Sequence, residues 1–81
     1  MAQQDEYVLT FEVGVGDQGH ELHIHFDAVG LQKLRQALDH VERSKDHEHL
    51  MVPSWGGSEL TEEKQNDSSH LIPSVTIHFW D

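Results

Sequence analysis

The 81-residue sequence contains no cysteine, and this absence excludes several kinds of site. There can be no disulfide framework, no thiolate zinc site and no cysteine nucleophile, so any bound metal would need histidine and carboxylate ligands. A chain of this length is expected to form one small domain, residues 1–81, with little depth for a water-excluding active site.

Long apolar runs are also absent from the sequence. No segment approaches the roughly 20 apolar residues that span a bilayer. The N-terminal residues lack the positive and apolar regions of a secretion signal. These features predict a soluble protein of the cytoplasm.

Basic residues are scarce. Five Lys and Arg side chains stand against 15 Asp and Glu side chains, which gives a formal net charge of −10. A field of this sign repels phosphate backbones and anionic lipid, so it favours a basic protein partner over nucleic acid or a membrane. Solubility alone is the alternative explanation. The eight histidines make this charge sensitive to pH.

The hydrophobic pattern predicts a small α+β fold of order ββαββ. The predicted elements are strands at about 7–13, 20–26, 48–52 and 74–80, and a helix at about 28–43. An antiparallel four-stranded sheet with the helix packed on one face would satisfy the two-layer rule for small domains. The strand order stays open, because the helix leaves either hairpin strand free to pair with the third strand.

The same alternation predicts which side chains face the core. The inward set in the first hairpin is Tyr7, Leu9, Phe11, Val13, Leu22, Ile24 and Phe26. Glu12, His23 and His25 are expected on the outer face. Asp27 is the predicted N-cap of the helix, whose apolar residues recur at spacings of three and four.

Motifs for catalysis are incomplete. Gly14, Gly16 and Gly19 match the dinucleotide fingerprint as a string, but a strand follows where a helix N-terminus should receive the pyrophosphate. The histidines lack the four-residue spacing of a zinc protease helix, and no Gly-x-Ser-x-Gly nucleophile elbow is present. We therefore expect a protein that is not an enzyme and has no cofactor.

Histidine pairs two residues apart provide an alternative function. Residues i and i+2 of a strand point to the same side, so such a pair could share a metal ion with a third histidine. The candidate ligands are His23, His25, His47, His49 and His78. The protein could then be a metal-binding or pH-responsive small domain. The other interpretation, which the sequence favours, is a polar outer sheet face without a metal.

A long polar loop, residues 53–69, follows the third strand, which Pro53 is expected to end. Within it, Trp55 precedes two glycines that allow a sharp turn. The Trp55 ring could hold the loop on the domain, or it could be an exposed anchor for a protein partner. In the second case the acidic residues of the loop would surround the anchor: Glu59, Glu62, Glu63 and Asp67.

The run HLMVPSWGGSEL, followed by HLIPSVTIHFW, resembles the bacterial immunity protein 32 family. The residues that fall on the family motif are His49, Leu50, Met51, Pro53, Ser54, Trp55, Gly56, Gly57, Glu59 and Leu60. The likeness covers roughly residues 47–80, while the earlier hairpin and helix agree only in order and length. The resemblance implies a small α+β immunity protein of a polymorphic toxin system, which neutralises a cognate toxin by binding it. It assigns no catalytic residues and no toxin class.

Together, the charge and the resemblance predict an antitoxin-like protein of the cytoplasm whose acidic surface binds a basic toxin domain. The oligomeric state is left open. Self-association through an outward sheet face that carries Val8, Trp80 and histidines is a third possibility.

Overall fold

The computed structural model describes residues 6–80. Its regular elements are β1 (Leu9–Val13), β2 (Leu22–Phe26), α1 (Ala28–Ser44), β3 (His47–Met51), β4 (His70–Leu71) and β5 (Ser74–His78). Short 3-10 turns follow β1 and β3. Within the described range, no helix is long and apolar enough to cross a membrane.

The strands form two antiparallel sheets. β1 lies between β2 and β4 in the first sheet, and β3 pairs with β5 in the second. The α+β prediction is confirmed, since α1 packs against strands of both sheets. The predicted single four-stranded sheet is corrected: neither hairpin strand pairs with β3. Instead, the long loop returns to β1 as the short strand β4, where Leu71 pairs with Glu12 and His70 with Val13.

α1 begins and ends at clear caps. The Asp27 carboxylate accepts a hydrogen bond from the Gly30 N–H at 2.8 Å, which confirms the predicted N-cap. The helix ends at Lys45, whose φ of 56° is left-handed and whose N–H donates to the Val41 carbonyl at 2.8 Å. These caps set the helix length and its position after β2.

The core lies between α1, the two sheets and the start of the long loop. A contiguous cluster of buried apolar residues forms its centre: Leu9, Phe11, Ala37, Leu50, Val52 and Leu60. Val41 of α1 is buried as well. The prediction that Leu9 and Phe11 face inward is confirmed. Val75 and Ile77 of β5 are partly buried against the same cluster.

The side chains of β2 depart from the prediction. Leu22, Ile24 and Phe26 are 55, 43 and 47 % exposed, so their expected place in the core is wrong. The register explains why: Ile24 lies beside Phe11, and Phe26 beside Leu9, on the same face of the sheet. The cover that buries β1 therefore extends only partly over the edge strand.

The other face of β1 is also covered. Thr10 and Glu12 are fully buried, and the expected outward position of Glu12 is wrong. Residues of the long loop fold over this face, as the hydrogen bonds from the Gln65 and Asn66 N–H groups to the Glu12 carboxylate at 3.0 and 3.2 Å show. β1 is thus buried on both faces, between α1 on one side and the loop on the other.

Removing the helix cap should weaken the fold. We expect Asp27→Ala to lower the melting temperature by about 5 °C, because the Gly30 N–H loses its acceptor at the first turn of α1. Thermal melting followed by circular dichroism measures the change. Asp39→Ala, on the exposed side of the same helix, is the control and should not lower the melting temperature. Equal melting temperatures for Asp27→Ala and the unmodified protein would contradict this role of the cap.

Candidate functional site

A buried carboxylate fixes the long loop to the first sheet. Glu12 of β1 accepts hydrogen bonds from the hydroxyls of Thr10 and Ser69, each at 2.5 Å. The backbone N–H groups of Gln65 and Asn66 donate to the same carboxylate at 3.0 and 3.2 Å. Most of these donors belong to the loop, so the Glu12 carboxylate holds residues 65–69 of the loop against β1.

The environment of Glu12 keeps it ionised. Burial raises the pKa of the Glu12 carboxyl, because the charged form loses its hydration. Hydrogen bonds from the Gln65 N–H, the Ser69 and Thr10 hydroxyls and the Asn66 N–H outweigh burial and lower the pKa from 4.5 to about 2. A carboxylate held in this way is a fixed acceptor at neutral pH and has no proton to give as a general acid.

The Trp55 turn, which we define as residues 53–57, follows β3 and has a fixed conformation. Pro53–Trp55 form a 3-10 turn, and Gly56 follows with a left-handed φ of 90° that favours glycine. The N–H and the hydroxyl of Ser54 both donate to the Glu62 carboxylate, at 2.7 and 2.9 Å. The turn is therefore held by a side chain from further along the loop.

Contacts with Met51 of β3 complete the turn. A Cβ atom on Gly57 would lie 2.1 Å from the Met51 carbonyl oxygen, so only glycine fits at this close approach. The Leu60 N–H donates to that oxygen at 3.3 Å, and the Met51 N–H donates to the Glu59 carboxylate at 3.3 Å. Each of these motif residues therefore has a structural role in the turn: Gly56, Gly57, Glu59 and Leu60.

The Trp55 side chain lies at the surface. It is 59 % exposed, so its ring is not the group that holds the loop on the domain. The contacts of Glu12, Glu62 and Gly57 serve that purpose instead. The structure therefore presents a large aromatic side chain on a turn that is fixed independently of it. Exposed aromatic side chains of this kind are typical anchors in protein interfaces.

The acidic residues expected around Trp55 occupy different environments. Glu62 lies next to the turn through its bonds to Ser54. Glu59 is partly buried and engaged with Met51, which makes it part of the turn. Glu63 and Asp67 are exposed on the same loop. The structure therefore combines an exposed indole with exposed carboxylates on one segment.

The charges are unevenly distributed along the chain. Four of the five basic residues lie on α1 or at its end: Lys33, Arg35, Arg43 and Lys45. The fifth, Lys64, donates to the backbone oxygens of Asp67 and Ser69 at 3.2 and 2.9 Å. The long loop carries four acidic residues against this single lysine. The acidic excess therefore lies outside α1.

The histidine pairs lie on separate sheets. His47 on the second sheet has its ring centroid 4.9 Å from that of His49 and 5.7 Å from that of His78. On the first sheet, the rings of His23 and His25 are 6.2 Å apart. Within the described part of the chain, no group of three or more His, Cys, Asp or Glu side chains could hold a metal ion. The metal-binding alternative therefore has no support from this geometry.

Sequence reasoning identified the turn and missed the group that positions the loop. Glu12 reads as an ordinary polar residue of an alternating strand, and nothing in its local sequence indicates burial. The sequence signal that could have indicated it is the polar run Gln65-Asn66-Asp67-Ser68-Ser69. This run is rich in hydrogen-bond donors, which favours a hydrogen-bond acceptor opposite it.

The model of a family described as Immunity protein 32 matches residues 21–78. The matched segment runs from the start of β2 to the end of β5 and includes α1 and the whole Trp55 turn. No curated protein and no solved structure matches the chain.

Proposed function

The chain belongs to the immunity protein 32 family, and on this basis we propose that it neutralises a cognate toxin protein by direct binding through the Trp55 turn and the acidic loop. An immunity protein of this kind needs a surface that occupies the toxin and needs no catalytic centre. We also propose that this occurs in the cytoplasm of the cell that makes both proteins.

The exposure of Trp55 is the observation that carries the proposal. Its turn is fixed by the Ser54–Glu62 hydrogen bonds and by the close approach of Gly57 to Met51. A side chain displayed on a fixed backbone loses little conformational freedom when it binds. Tryptophan is also among the residues that most often dominate binding energy when a partner pocket encloses them.

The charge of the loop supports a basic toxin surface. Exposed carboxylates near an aromatic anchor attract a positive partner and orient it before contact. Glu62, Glu63 and Asp67 are the proposed acidic rim, while the Glu59 carboxylate serves the turn through Met51. The same charge disfavours nucleic acid and anionic membranes as partners.

Co-expression with the protein encoded by the adjacent gene, the expected toxin, tests the function. We expect the toxin alone to arrest growth and the pair to grow, with both proteins recovered as a complex. The mass of the recovered toxin should be unchanged, because neutralisation by binding leaves no chemical modification. A harmless neighbour, or a toxicity that this protein does not relieve, would refute the proposal. A modified toxin would indicate an enzyme.

Reversing charge on the rim should slow association. We expect Glu63→Lys combined with Asp67→Lys to lower the association rate constant with the toxin about 10-fold at low salt, because two attractive charges become repulsive. Stopped-flow or biolayer interferometry measures this rate. The matched control is Asp39→Lys with Glu42→Lys, the same charge change on the exposed side of α1. An equal effect of both pairs would show that only net charge matters.

A further inference from the structure

β2 has an unprotected outer edge. Among the described strands it pairs only with β1, and their register is continuous from Leu22 to Phe26. The strand contains no proline, no lysine and no bulge, which are the usual means of protecting a free edge from pairing with another chain.

The hydrogen bonds at the ends of β2 determine which backbone groups face outward. The Gly14 N–H donates to the Glu21 carbonyl, and the Asp27 N–H donates to the Val8 carbonyl, both at 3.2 Å. In an antiparallel pair such bonded positions recur at every second residue. The β2 residues that lie between them direct their N–H and C=O groups to the free edge: Leu22, Ile24 and Phe26.

The side chains of β2 have a matching symmetry. The sequence Leu22-His23-Ile24-His25-Phe26 alternates apolar and polar residues in the same way when it is read in either direction from Ile24. Its three apolar side chains are exposed on one face, beside the buried Phe11 and Leu9 of β1. Both the backbone and the side-chain pattern are therefore centred on Ile24.

We propose that β2 is an interface with a second copy of this chain, formed by antiparallel pairing of the two β2 edges about Ile24. Ile24 would then face Ile24 of the other copy, and Leu22 would face Phe26. Each of these facing pairs would exchange two backbone hydrogen bonds. The two first sheets would join into one continuous sheet with two-fold symmetry, in which each copy presents the same surface.

The surface at this edge has room for the second copy. A shallow depression of about 330 Å³ lies beside this edge, lined by both faces of the strand end and by the loop: Val8, Ile24, His25, Phe26, Asp27 and Gln65. The pairing places the Leu22 side chain of the other copy opposite Phe26, beside this space. The apolar side chains of both strands would cover one another, which none of them achieves in a single copy.

Self-association has a different dependence on salt from toxin binding. Two copies that each carry a charge of −10 repel one another, and salt screens this repulsion. Dimerisation should therefore strengthen as salt increases, whereas binding of a basic toxin should weaken. The proposed pairing does not use the Trp55 turn, so it goes beyond the proposed function and can fail or succeed independently of it.

Analytical ultracentrifugation of the full chain at low and high salt tests the dimer. We expect a dissociation constant on the order of 1–100 µM that decreases with salt, as a small interface implies. Ile24→Lys should raise this constant at least ~10-fold, because it sets two like charges against each other at the symmetry axis. Leu38→Lys is the control: it makes the same kind of change at an exposed apolar residue of α1, and it should leave the constant unchanged.

Amide hydrogen exchange on the unmodified protein locates the interface without any variant. The amides of Leu22, Ile24 and Phe26 should gain protection as the protein concentration rises. A wild-type protein that stays monomeric at about 500 µM would overturn the proposal. So would an Ile24→Lys variant that dimerises like the wild type, or exchange at these amides that is independent of concentration. A monomeric wild type combined with loss of toxin binding in Ile24→Lys would also overturn it, and would assign the edge to the toxin.

Discussion

Glu12→Gln should reduce the free energy of unfolding by about 3 kcal/mol at neutral pH, which is a large share of the stability of so small a chain. The carboxylate accepts bonds from two hydroxyls and two backbone N–H groups inside the protein. A glutamine has one acceptor oxygen and places an NH₂ group against donors, so some of these groups lose their partner without regaining water. Urea denaturation measures the difference.

The dependence of this effect on pH identifies its origin. The folded-state pKa of Glu12 is lowered from 4.5 to about 2, so its stabilisation is fully present above the unfolded-state value. It decreases as pH falls from about 4.5 towards 2, as the unfolded state takes up the proton first. The difference between wild type and Glu12→Gln should therefore shrink over this window. Glu42→Gln, at an exposed position on α1, should unfold like the wild type at each pH. A difference that is constant with pH would contradict the role of the Glu12 charge.

Trp55→Ala should weaken toxin binding about 30- to 100-fold while the melting temperature stays within about 2 °C of the wild type. The ring is 59 % exposed, and the turn that carries it is held by other residues, so the fold does not depend on the ring. Calorimetric titration with the toxin and a thermal melt measure the two quantities. We expect the affinity for the toxin to fall and the stability of the fold to stay the same.

The second tryptophan provides the control for this experiment. Trp80 is 87 % exposed and follows β5, so Trp80→Ala removes the same side chain at another surface position. We expect it to bind toxin within about twofold of the wild type. If Trp80→Ala loses as much affinity as Trp55→Ala, or if Trp55→Ala melts much earlier, the anchor role of Trp55 is refuted.

Local sequence patterns predicted the positions of the helix and strands better than they predicted which strands pair. The periods of β1, β2 and α1 are local properties of the sequence, and each element was located to within a few residues. The division into two sheets depends on β4, whose two residues are too few to produce a period. Its pairing with β1 joins segments far apart in the chain, and the sequence does not specify such a contact locally.

Alternation identifies side chains that share a face, but it does not tell which face is covered. Leu22, Ile24 and Phe26 do share a face with Leu9 and Phe11, as expected. Their exposure follows from the position of β2 at the edge, over which the cover of β1 extends only partly. The covering of the opposite face by the loop is equally invisible to a period-two pattern.

The candidate site was predictable where backbone chemistry dominates. Pro53 and the two glycines indicated the end of β3 and a sharp turn, and the structure has both. The exposure of Trp55 could not be predicted, because an indole ring is stable either inside or at a surface. The separate roles of Glu59 and Glu62 arise from the path of the loop, which depends on Glu12.

The four groups that donate hydrogen bonds to Glu12 are all uncharged, and this separates the electrostatics of folding from those of recognition. Hydroxyl and amide dipoles hold the Glu12 carboxylate in a buried place that dissolved ions do not reach. The exposed carboxylates of the loop act through solvent and are screened. Under the proposed function, a rise in ionic strength would therefore slow the binding of a basic partner while the loop keeps its shape. The protein would remain ready to bind when the salt concentration falls again.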